Sequence, residues 1–88
     1  MTNIKLQNEL EKLRIEVNKV ANDDIDVRDR LNSLISDTEK KLGEPTNENH
    51  HNNLVLSIKD AIRRFETGHP RATGILNDIM VTLSNMGI

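Results

Sequence analysis

Apolar residues recur along this chain at spacings of three and four, with polar residues filling the gaps. Leu6, Leu10, Leu13, Val17 and Val20 make the first run. That rhythm is the stripe of an amphipathic helix, predicted over about 3–21. Glu9, Glu11, Lys12, Arg14, Glu16 and Lys19 are expected on its other faces. Asn22-Asp23-Asp24 then breaks the pattern. Asp23 or Asp24 suits an N-cap, and Asp26 puts negative charge near the positive end of a helix dipole. A second helix follows to about Leu42, with Val27, Leu31, Leu34, Ile35, Thr38 and Leu42 as its stripe. Lys40 and Lys41 fall in its last turn, and Gly43 marks the stop.

Residues 43–49 are rich in turn formers and make the longest loop. A third helix is predicted from Asn49 or His50 to about Thr67, along Leu54, Val55, Ile58, Ala61, Ile62 and Phe65. Gly68 can end it in a left-handed conformation, and Pro70 is pre-set for the first turn of a fourth helix reaching about Asn85. Ala72, Ile75, Leu76, Ile79, Met80, Leu83 and Met86 face inward there, so Phe65 and Leu76 are expected in the core. Gly74 is a weak spot, or a place where a neighbouring helix comes close. No stretch alternates as a strand does.

Four helices of similar length joined by short connections give an all-α fold. They make two helical hairpins in an antiparallel four-helix arrangement, occupying 1–88 as a single domain. A second version keeps the helices but opens the arrangement: the first two form a long hairpin, and dimerisation completes the bundle. Ile4, Ile15, Leu56 and Val81 favour that version, because they lie off the main stripes. They are the expected interface of a homo-oligomer. The heptad spacing of the first helix adds a coiled-coil-like seam.

Length and composition limit the alternatives. Leu, Ile, Val and Phe make up about 28% of the 88 residues, above the ~20% region where disorder becomes the default. Twelve basic and fourteen acidic residues are interspersed, for a net charge of -2. That argues against a dominant attraction to nucleic acid or anionic lipid. No cysteine is present, which removes disulfides, thiolate metal sites and thiol nucleophiles. No secretory leader and no membrane-spanning run is evident, so a cytoplasmic location is expected.

The polar residues carry little recognisable chemistry. His50-His51 near Glu48 hints at a metal, but adjacent helical residues point about 100° apart, whereas helical metal pairs stand at i and i+4. A solvent-exposed polar start to the third helix is the simpler reading. His69 has no nucleophile or carboxylate placed beside it by a motif, so it reads as structural. Asp23, Asp24, Asp26 and Asp29 lack the glycine and closing glutamate of a calcium loop, and helix capping accounts for them. Lys59, Arg63, Arg64 and Arg71 are the one basic cluster, and with the tight turn at Gly68 they faintly suggest a helix-turn-helix.

Arg64-Phe65-Glu66, His69-Pro70, Asp78, Leu83, Asn85 and the terminal Met86-Gly87-Ile88 together resemble domain-of-unknown-function family 4404. The Leu-rich first helix and the acidic start of the second also fit. The resemblance implies an all-helical, cytoplasmic, bacterial protein, and it implies no enzymatic activity. Residues 47–53 and Gly74 depart from the pattern. The resulting expectation is a non-enzymatic helical protein with no catalytic residue, cofactor, metal or small-molecule substrate. It acts through helix contacts with itself or another protein. The alternative is a nucleic-acid-associated protein using Lys59, Arg63, Arg64 and Arg71.

Overall fold

A computed structural model describes residues 2–20, 24–44 and 46–86. These form four helices and no strand: α1 (Thr2–Asn18), α2 (Ile25–Gly43), α3 (Glu48–Phe65) and α4 (Pro70–Met86). Each helix packs on its two neighbours in the ring α1-α2-α3-α4, and neither diagonal pair comes within contact distance among the described residues. The ring therefore closes within one chain. α1 and α3 each pack more extensively on α4 than on α2, which makes α2 the least tightly held helix. Polar contacts establish the antiparallel order. Glu9 midway along α1 meets Thr82 in the second half of α4, and Arg30 early in α2 meets Asp60 late in α3.

The predicted stripes form the core. Leu6, Leu10, Leu13, Leu31, Leu34, Leu54, Ile58, Leu76, Ile79 and Leu83 are almost completely withdrawn from solvent. Phe65 differs from its expected role. It packs against the core only partly buried, and its ring meets that of His69 edge-on at 6.4 Å.

Several helix ends also depart from expectation, for local reasons. α1 stops at Asn18 because the Lys19 and Val20 amides donate to carbonyls three residues back, tightening the last turn. α3 starts earlier than predicted, because the Asn47 side chain accepts from the His50 amide as an N-cap. It ends at Phe65, where the Glu66 amide still reaches Ile62 and the His69 amide closes the turn onto Phe65. Gly68 does so without adopting the left-handed backbone. α4 starts at Pro70 as predicted. Gly74 faces open space, so no neighbouring helix exploits its missing side chain. Asp24 occupies the N-cap position of α2, yet its side chain makes no capping bond. The other capping candidate, Asp23, lies outside the described residues, as do Gly87 and Ile88 of the terminal motif.

Candidate functional site

The antiparallel ring brings different chemistry to its two ends. The α1–α2 and α3–α4 connections share one end. There, Asp24 Oδ2 lies 3.6 Å from His69 Nε2. That is an ion pair only when the imidazole is protonated. Asp24 is uncapped because its carboxylate turns to this histidine. Nothing in the residue pattern hints at the pairing, since the two residues are far apart along the chain and share no motif. They border an open pocket of about 430 Å³, lined also by Glu16, Lys19, Val20 and Arg71. Among the described residues, no hydroxyl or thiol side chain lines it.

A second open groove, about 750 Å³, runs between α2 and α3. In it Asp60 Oδ2 stands 3.6 Å from Arg30 and 3.3 Å from Arg64, with Phe65 forming one wall. Asp26 and Asp29 line the same groove. No group of three or more His, Cys, Asp or Glu residues among those described is arranged to hold a metal ion.

The opposite end is closed around buried polar groups. Thr82 Oγ1 donates to Glu9 Oε1 at 2.7 Å, out of contact with water. Lys41 is fully buried (0% exposed) and His51 nearly so (8%). These placements correct the expectation of a solvated Glu9 and of a solvent-exposed His51, while Glu48 and Asn49 at the start of α3 are exposed as expected. Burial pulls the Lys41 ammonium below the usual lysine range. His51 is pushed below the usual histidine range, chiefly by burial, then by the Lys41 and His50 charges. His51 Nδ1 has no hydrogen-bond partner. Its neighbour is better placed, with His50 Nε2 lying 2.8 Å from the Asp37 carbonyl oxygen.

The predicted interface residues are all exposed: Ile4 by 60%, Ile15 by 50%, Leu56 by 63% and Val81 by 46%. Ile25, at 61%, joins them. They do not form one surface. Ile4, Ile15, Leu56 and Val81 each stand two positions from a core residue, about 200° around the helix, and so point outward. Ile4 and Ile15 share the outer face of α1. Leu56 projects from α3, at the diagonally opposite corner of the ring. Val81 projects from α4 between them.

The basic cluster is likewise divided. Lys59 and Arg63 share the outer face of α3 with Leu56. Arg64 turns toward α2 and pairs with Asp60, while Arg71 lines the His69 pocket. No described helix is long and apolar enough to cross a membrane.

The profile of a family described as a domain of unknown function (DUF4404) matches residues 6–88, nearly the whole chain. No curated protein and no solved structure matches it.

Proposed function

The chain belongs to the DUF4404 family, and from that premise we propose that it is a non-enzymatic protein working through helix-face contacts with a second protein surface, in the first instance another copy of itself. One observation carries this reading. Ile4 and Ile15 are half or more exposed and eleven residues apart, which sets them on one outer face of α1 about 16 Å apart. An antiparallel pairing of two α1 helices about a twofold axis brings Ile4 of one copy against Ile15 of the other, twice. The heptad rhythm of α1 already serves the core, so this outer pair is surplus to folding.

Equilibrium sedimentation over a wide concentration range tests the proposal. The protein should associate reversibly, and the Ile4→Ser, Ile15→Ser chain should associate at least tenfold more weakly. A chain that stays monomeric at millimolar concentration contradicts self-association.

The nucleic-acid reading retains one supporting observation, the exposed Lys59 and Arg63 on a common face of α3. Two aligned cations give a shallow salt dependence, since each phosphate contact contributes a slope of about one. Titration of labelled single- and double-stranded DNA across salt concentrations separates the readings.

A further inference from the structure

We propose that His51 is a proton-operated release for the α2–α3 end of the bundle: when its ring takes up a proton, the last turns of α2 separate from the first turns of α3.

Three features of the closed state oppose that proton. His51 is 8% exposed, and its Nδ1 meets no acceptor that a second N–H could use. A charged imidazole there is both desolvated and short of a hydrogen bond. His51 also lies in the first turn of α3, where the helix dipole presents its positive end. Finally, Lys41 enters the same buried region from α2 and acts on His51 as a like charge.

Among the described residues, the charged groups around His51 do not offset this. His50, its neighbour on α3, also acts as a like charge. On the α4 side, 79–86 contain no charged residue. At this end α1 contributes Glu9, whose carboxylate is engaged by Thr82. In sequence the nearest carboxyls are Glu48 on α3 and, toward α2, Glu44 and Glu39; Glu44 is exposed, Glu39 pairs with Arg14 of α1, and Asp37 lies further back on α2. Glu48 is exposed, and what Asp37 offers the histidine pair is its backbone carbonyl, to His50.

The opening is local because α2 is the least extensively packed helix and its connection to α3 is short. His50 is not the sensor. Its Nε2 faces a carbonyl acceptor, and a protonated ring keeps that bond. His69 has the opposite surroundings, because its protonated form meets Asp24.

The sign follows from linkage. The open form binds the proton with an ordinary histidine affinity and the closed form resists it. The closed form is therefore fully favoured above about pH 6.5. It loses up to about tenfold in its equilibrium constant per pH unit below that, until the buried ring itself titrates.

The test uses the full chain with His50→Gln and His69→Gln, which leaves His51 as the lone histidine among the original three. Amide hydrogen exchange, corrected for intrinsic rates, is compared at pH 7.5 and 5.5. Protection over 38–54 should fall several-fold more than protection over α1 and α4. Restoring His50 and His69 while changing His51→Gln should abolish the difference. Should His51→Gln fail to fold, urea unfolding of the single-histidine chain decides. A midpoint that falls below pH 6.5 supports the release, and a flat or rising one overturns it. Equal loss of protection in all four helices also overturns it.

Discussion

The two ends of the bundle are built from similar residue types and used differently. At one end Glu9, Lys41, His51 and Thr82 are drawn inside, and the core residues Leu6 and Leu83 pack to the limit of burial. At the other, Asp24, His69, Lys19 and Arg71 rim an open pocket, and the largest apolar side chain, Phe65, is only partly covered. A polar residue inside must be matched by a partner or it destabilises the fold. One at a pocket rim is hydrated and costs little to change. Sensitivity to substitution and to protons should therefore concentrate at the closed end, while the open end tolerates variation.

The comparison breaks most visibly in the apolar side chains. Leu83→Ala should cost about 2–5 kcal/mol, whereas Phe65→Ala, although it removes more atoms, should cost only about 1–2 kcal/mol. Urea unfolding followed by circular dichroism reads both, and a larger loss for Phe65→Ala would reverse the assignment of the ends. Next come the polar groups. Thr82→Val keeps shape but leaves a buried carboxylate oxygen of Glu9 without its donor, and should cost about 1–3 kcal/mol. Asp24→Asn, which removes a partly exposed ion pair, should change stability by less than about 1 kcal/mol. Equal effects would remove the distinction. The smallest effect sharpens the picture of the open side. Gly74→Ala meets empty space and should stabilise α4 by up to about 1 kcal/mol, seen as a modest rise in melting temperature.

Apolar periodicity made the four helices legible, because each stripe is long and regular. It also held an unread clue to the closed end. Glu9 stands three after Leu6, Lys41 three after Thr38, and His51 three before Leu54, so all three continue a core stripe. Residue type argued for solvent, and position argued for burial. Position prevailed because the facing helix left no route outward. Thr82, beside Leu83, is explained only by its partner Glu9 on another helix. The Asp24–His69 pair was illegible for a similar reason: it exists only once two separate connections reach the same end of the ring. Exposure of Ile4, Ile15, Leu56 and Val81 followed from their spacing, but their dispersal over three helices required knowing which corners are diagonal.

The claim that one end shuts out a proton is tested most directly by following the three histidine rings in a single NMR titration of the unmodified chain. His51 should take up its proton only below pH 6.5, and the amide signals of 41–54 should broaden or shift as it titrates. If His51 takes its proton near pH 6.5 or above with those amides undisturbed, the buried end is not the closed, proton-resisting site described.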